Sequence, residues 1–271
     1  MTVLTKKGHI TGAREAAVRV CRVHEALADF LCAGKTLPEV DAFVGRTLDE
    51  LDSKSCFLRY RIPGQHPFPS HSCLSLNDCV VHGTHLDVTR PLEEGDVLSI
   101  DVGVLHKGWI GDAAWTYGIV SVSDAARKLM TAGIDSLRRG IDAMQPGRPL
   151  IDWARAVQQC VETEAGFSLI RGLGGHGYGK TLHAAPFVSN VVPTTPNEWP
   201  DAFQIFEPGL LLAVEPMLAA GDPKITSNIG GWPIRTADGS LTVHYEADVL
   251  ITEDGPDVLT ADMFELPDIV G

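Results

Sequence analysis

The stretch GLGGHGYGKTLHAAP, from Gly172 to Pro186, admits three readings, two as a nucleotide-binding loop and one as part of a metal-dependent site. Gly174 to Thr181 satisfies the phosphate-loop pattern G-x-x-x-x-G-K-[ST], and Gly172, Gly174 and Gly177 satisfy the dinucleotide pattern G-x-G-x-x-G. The third reading sets the glycines aside and takes His176 and His183 as polar groups of a metal-dependent site. A phosphate loop needs a strand before it and a helix starting at the Lys-Thr, because helix N-terminal amides hold the phosphate. FSLIRGL could supply the strand, but LHAAPFVSNVVPTTP after Thr181 carries Pro186, Pro193 and Pro196 among β-branched residues, which makes a poor helix. The dinucleotide reading fails for the same reason and lacks a βαβ unit around it. Short glycine patterns arise easily in a chain with 27 glycines.

The rest of the chain bears on the third reading. With 271 residues and 44% hydrophobic content it can bury a large core. The net charge of -13 disfavours nucleic acid and anionic membrane surfaces, which demand cationic patches. No stretch resembles a signal peptide or reaches the roughly 18 apolar residues of a membrane span, so a cytoplasmic location is expected. Cys21, Cys32, Cys56, Cys73, Cys79 and Cys160 lack C-x-x-C spacing and are expected to be reduced thiols.

An internal duplication organises the sequence. Apolar periodicity predicts helices over 11–31 and 38–51, and again over 124–144 and 151–164. The junction beginning at Gly34 aligns with that at Gly147, and LSLN at Leu74 to Asn77 aligns with FVSN at Phe187 to Asn190, both at an offset of 113. LEEGDVLSID, ending at Asp101, aligns with FEPGLLLAVE, ending at Glu215, at an offset of 114. Each half, about 11–120 and 124–255, therefore reads as two helices followed by antiparallel strands, with Gly95 and Gly209 turning the chain into a buried strand. The expectation is an α+β fold in a single domain, 1–271, with a pseudo-two-fold.

The duplicated strand ends in a carboxylate both times, Asp101 and Glu215, and the following strands carry Asp112 and Glu246 in apolar or aromatic surroundings. One such acid commonly serves as a structural acceptor or an arginine partner. Four in related positions of two related halves would repel one another unless a cation neutralised them. Hard oxygen ligands with an imidazole suit Mg, Mn, Fe, Co or Zn, and ions about 4 Å apart activate water for amide hydrolysis.

These residues resemble the methionine aminopeptidases of the pita-bread fold. Asp101 and Asp112, His176 in GHGYG, Glu215 in VEP and Glu246 in HYE match the five metal ligands of that family. NDCVVHG, with His82, resembles the segment carrying its substrate-facing histidine; Cys73 and Trp232 match pocket positions. The resemblance spans about residues 10 to 255, and the modest gap from His183 to Glu215 is similar to type I enzymes. It implies helix pairs packed on a curved antiparallel sheet, two divalent ions (Co, Mn, Fe or Zn), and removal of N-terminal methionine by metal-activated water attacking the first peptide bond. By the same resemblance Asp112 and Glu246 would bridge the ions, Asp101 would complete one shell, and His176 with Glu215 the other. Glu215 would transfer the proton, while His82 and His183 would hydrogen-bond the scissile amide and the developing oxyanion. The implied substrate is a peptide or nascent-polypeptide N-terminus, with ribosome association, and the chain is expected to act as a monomer without nucleic acid or membrane.

The sequence departs from the family at Ala184 and Ala185, where acidic residues are usual, at His244, where glutamine is usual, and at Leu182, where an aromatic residue often stands. His9, His24, His66, His71, His85, His106 and His244 read as structural. Two alternatives share the fold: a peptidase cleaving bonds next to proline, and a non-catalytic binding protein. The complete ligand set opposes the second, and the context of Cys73, His82 and Trp232 opposes the first.

Overall fold

Thr36 and Glu39 close on each other at the start of the second helix, the threonine hydroxyl accepting from the Glu39 amide while the glutamate accepts from the Thr36 amide. The computed structural model describes Leu4 and residues 6–271. Its helices are α1 (Lys7–Phe30), α2 (Leu37–Glu50), α3 (Asp124–Ala143) and α4 (Ile151–Gln158). The Ser123 side chain caps α3 by accepting from the Ala126 amide. Sequence periodicity continues the fourth helix to Glu164; in the structure its last part, Gln159–Glu164, widens into a π-helical turn.

After the first helix pair come β1 (Lys54–Ser55), β2 (Cys73–Leu76), β3 (Cys79–Val81), β4 (Val97–His106) and β5 (Trp109–Ile119). After the second come β6 (Ser168–Leu169), β7 (Gly174–Gly177), β8 (Ala184–Ser189), β9 (Leu211–Val214), β10 (Met217–Ala219), β11 (Ile225–Ser227) and β12 (Ile234–Thr236). The chain finishes with β13 (Thr242–His244), β14 (Ala247–Thr252), β15 (Gly255–Val258) and β16 (Ile269–Val270). One larger sheet runs β1-β4-β5-β16 with β2 also on β4; the other runs β15-β14-β9-β7-β8. Gly95 and Gly209 take φ of 93° and 94°, the left-handed turn that a side chain resists, two residues before β4 and β9.

The glycine-rich stretch is therefore a strand, a loop and a strand. β7 and β8 pair antiparallel, and Lys180 and Thr181 lie in the loop between them with no helix behind to present amides to a phosphate. Both nucleotide readings end there.

The two larger sheets meet along β5 and the start of β14. The Glu246 amide donates to the Ala114 carbonyl at 2.9 Å, and the Asp112 amide donates to Asp248 Oδ2 at 2.9 Å. These bonds set β5 against the second sheet, so acids far apart in sequence share one space. A continuous core joins the helices to both sheets, with Trp115, Tyr117, Trp153 and Tyr245 fully buried in it. All six cysteines are free thiols, and among the described residues no helix is long and apolar enough to cross a membrane.

Close approach of α1 to β5 depends on Gly111, where an added Cβ would lie 2.7 Å from the backbone of Ala16 and Ala17. Gly111→Ala is expected to destabilise the fold by about 1–3 kcal/mol through overpacking. Urea unfolding tests this: the midpoint should fall with an unchanged slope.

Candidate metal centre and substrate cavity

Strand register brings the acids together. Asp101 on β4 faces Cys73 of β2 on one side and Ala114 of β5 on the other. Asp112 lies two residues before Ala114, so it sits diagonally across from Asp101 on the same sheet face. In the second sheet Ala247 faces Val214, and Glu215 and Glu246 stand one residue beyond that pair, each at the strand end nearest the cavity. His176 on β7 pairs with Ala213 of β9, which carries its ring to the same place.

The resulting contacts are close. His176 Nε2 lies 3.7 Å from Glu215 Oε1 and 4.0 Å from Asp112 Oδ2. His244 Nε2 lies 3.3 Å from Glu215 Oε2 and 3.9 Å from Glu246 Oε2. Burial pushes Asp101 up to about 7, against the lowering influence of His244. Burial first, then the neighbouring carboxylates, push Asp112 and Glu246 well above the ordinary range.

The residues fit divalent cations. Asp101 Oδ1, Asp112 Oδ1, Glu246 Oε1 and His244 Nε2 are buried without any hydrogen-bond partner, although nearly all buried polar atoms in proteins find one. Two triples of ligand atoms, Asp112–His176–Glu246 and Glu215–His244–Glu246, each lie within 4.8 Å of one another and share Glu246. Oxygen and imidazole donors without thiolate suit Mn, Fe, Co or Zn.

The energetics give a test. Asp101 titrates above its ordinary value of 3.8 in the folded protein, so its stabilising contribution is complete below about pH 4 and is lost as pH rises through 7. Metal-free protein is expected to match Asp101→Asn in stability at pH 4 and to fall below it at pH 8. Saturating Mn should reverse the loss, by about 2.7 kcal/mol at a hundred times Kd. Urea unfolding at the two pH values measures it; a difference that does not change with pH contradicts the site electrostatics.

Beside the acids opens a cavity of about 530 Å³, walled by Phe57, Tyr60, Phe68, Cys73, Leu182 and Trp232. The Trp232 ring meets Phe68 edge-on at 5.1 Å and donates from Nε1 to the His66 carbonyl at 2.8 Å. His82 follows β3 at a φ of 59°, a left-handed conformation uncommon outside glycine, and its ring stands 6.1 Å from that of Trp232. The His183 ring meets that of His176 edge-on at 4.5 Å, and its Nδ1 lies 2.8 Å from the Tyr60 hydroxyl. Burial lowers both His82 and His183 to about 4, so both rings are neutral near pH 7.

Every site residue expected from sequence thus lines or borders one cavity. Three further residues join them. His244, read from sequence as structural, ends β13 two residues before Glu246, and its Nε2 lies 3.3 Å from Glu215 Oε2. Asp248, two residues beyond Glu246, is fully buried behind Asp112 and accepts its amide. Tyr60 comes from the loop after β1 and carries no signal of its own. Among the other histidines, His24 is fully buried, with Nε2 3.2 Å from the Ala113 carbonyl and Nδ1 3.0 Å from the Tyr117 hydroxyl.

A fold of helix pairs on mainly antiparallel sheets whose strand ends deliver clustered acids and imidazoles to an apolar cavity is that of the pita-bread metallopeptidases. The chain belongs to metallopeptidase family M24, whose profile matches residues 11–253. It is 35% identical over 247 residues to methionine aminopeptidase 1 of Bacillus subtilis, covering 91% of this chain and 94% of that one. The crystal structure of methionine aminopeptidase from Thermotoga maritima superposes with a TM-score of 0.85 at 31% identity, covering 96% and 99% of the two chains. X-Pro aminopeptidase from Thermotoga maritima MSB8, at 18% identity and a TM-score of 0.73, shares the fold alone; it is matched over 99% of this chain and 63% of its own.

Proposed function

We propose that this enzyme removes N-terminal methionine from polypeptides, preferably when the second residue is small, with two divalent ions held by Asp101, Asp112, His176, Glu215 and Glu246. The observation that carries the reading is the placement of those five side chains on the floor of a cavity walled by aromatic rings and the Cys73 thiol. Such a wall suits a thioether, which makes favourable sulfur contacts with aromatic edges. When bound, divalent ions supply Lewis acidity for amide hydrolysis.

Around them the chain's own residues have separate tasks. Asp112 and Glu246 would serve both ions, Asp101 would complete one shell, and His176 with Glu215 would complete the other. Glu215 takes a proton from the attacking water and passes it to the leaving amine. With the Tyr60 hydroxyl donating to Nδ1, neutral His183 carries its proton on Nε2 and donates to the oxygen on which charge develops. His82, held beside Trp232, hydrogen-bonds the scissile amide. Trp232 and Cys73 shape the pocket for the first side chain.

The chain forms one catalytic domain of two halves, about 11–120 and 124–255, each giving two of the four carboxylates. A monomer acting in the cytoplasm on chains leaving the ribosome is the proposed setting; the net charge of -13 opposes direct contact with nucleic acid. The test is a peptide panel: kcat/KM for Met-Ala-Ser should exceed that for Leu-Ala-Ser by about 10–200-fold, the range one hydrophobic pocket achieves. Faster cleavage of proline-flanked peptides would contradict it.

A further inference from the structure

We propose that His244 is itself a metal ligand, so that the centre binds its ions through two imidazoles, His176 and His244, rather than one. This rests on the metallopeptidase reading and adds a donor to the five just assigned. His244 Nε2 is buried, with the residue 2% exposed, and has no hydrogen-bond partner. It points at two carboxylates, 3.3 Å from Glu215 Oε2 and 3.9 Å from Glu246 Oε2.

The 3.3 Å to Glu215 is the spacing of ligands sharing a tetrahedral ion, and the 3.9 Å to Glu246 is somewhat wider. Two donors each about 2.0–2.2 Å from one tetrahedral ion stand roughly 3.3–3.6 Å apart. A direct N–H to carboxylate hydrogen bond would close to about 2.7–2.9 Å. The backbone also holds the ring in place: the His244 amide donates to the hydroxyls of Ser99 and Thr116, and the Thr116 hydroxyl donates to the His244 carbonyl at 2.8 Å. Register with Met217 on β10 fixes the strand from the other side. His176 approaches Glu215 Oε1 and His244 approaches Oε2, so the two imidazoles flank one carboxylate.

A second imidazole shifts the chemistry of the centre. Nitrogen donors favour borderline ions such as Zn and Co over Mn, which prefers oxygen. His244→Gln keeps a polar side chain and removes the imidazole nitrogen. The expected result is a fall in Zn affinity of at least about tenfold with Mn affinity changed much less, read by calorimetric titration of metal-free protein.

The deciding measurement is the proton spectrum of the Co-loaded protein, in which each ligating imidazole contributes one paramagnetically shifted, solvent-exchangeable N–H resonance. Two such resonances are expected in the unaltered protein and one in His244→Gln. A single resonance in the unaltered protein, with methionine release intact, overturns the inference and leaves the proposed function standing, and needs no variant to fold. Absence of any shifted resonance, with no Co bound, overturns both.

Discussion

Replacing Asp112 by asparagine is expected to lower methionine release at least about 1000-fold, equivalent to some 4 kcal/mol of transition-state stabilisation. The carboxylate sits mid-strand on β5 and is 3% exposed, with one oxygen lacking any hydrogen-bond partner and the other facing His176. In the variant the backbone amide at this position could still donate to Asp248, so the strand should keep its place; what disappears is the negative charge proposed to serve both ions. Metal content should fall from two ions per chain to one or none, measured by elemental analysis after gel filtration. Because burial and neighbouring acids already oppose ionisation of Asp112, the metal-free variant should be at least as stable as metal-free unaltered protein at pH 8. A variant that holds two ions and turns over normally would refute the bridging role.

The second large effect falls on His183. Its replacement by alanine should lower kcat about 100–1000-fold, the cost of losing one preorganised donor to a developing oxyanion, with KM little changed. Tyr60→Phe is the milder companion. Without the hydroxyl on Nδ1 the ring is free to carry its proton on the wrong nitrogen, and kcat should fall about five- to tenfold, the worth of one hydrogen bond. Metal content should stay at two ions in both variants. An unchanged kcat in His183→Ala would remove the residue from the catalytic step.

Much of this site was legible in the sequence because strands write their chemistry locally. An acid closing the apolar run LLLAV, or standing within WIGDAAW, conflicts with its surroundings and marks itself whatever the tertiary fold. The helices were legible in the same local way, from the apolar periodicity of each run, and in the structure Thr36 with Glu39, and Ser123, cap two of their starts. The glycine-rich stretch needed the longer view, since three patterns fit its spacing and only the prolines after Thr181 excluded a helix.

Other features were hidden for definite physical reasons. Tyr60 reaches His183 across 123 residues, from a loop whose path depends on the packing of Phe57 and Phe68. His244 and Asp248 carry a local signal, standing two residues to either side of Glu246, but a histidine between valine and tyrosine also reads as ordinary strand filler. The π-helical turn at Gln159–Glu164 has no periodic signature distinct from an α-helix, so the fourth helix reads as one continuous element.

Titrating metal-free protein with Mn, Fe, Co or Zn while following methionine release from Met-Ala-Ser shows whether this acid and imidazole cluster makes a metal-dependent methionine aminopeptidase. No release is expected without metal, with activity rising as ions are added and saturating by two per chain. Release that is independent of metal, or no release with any of the four, would contradict it.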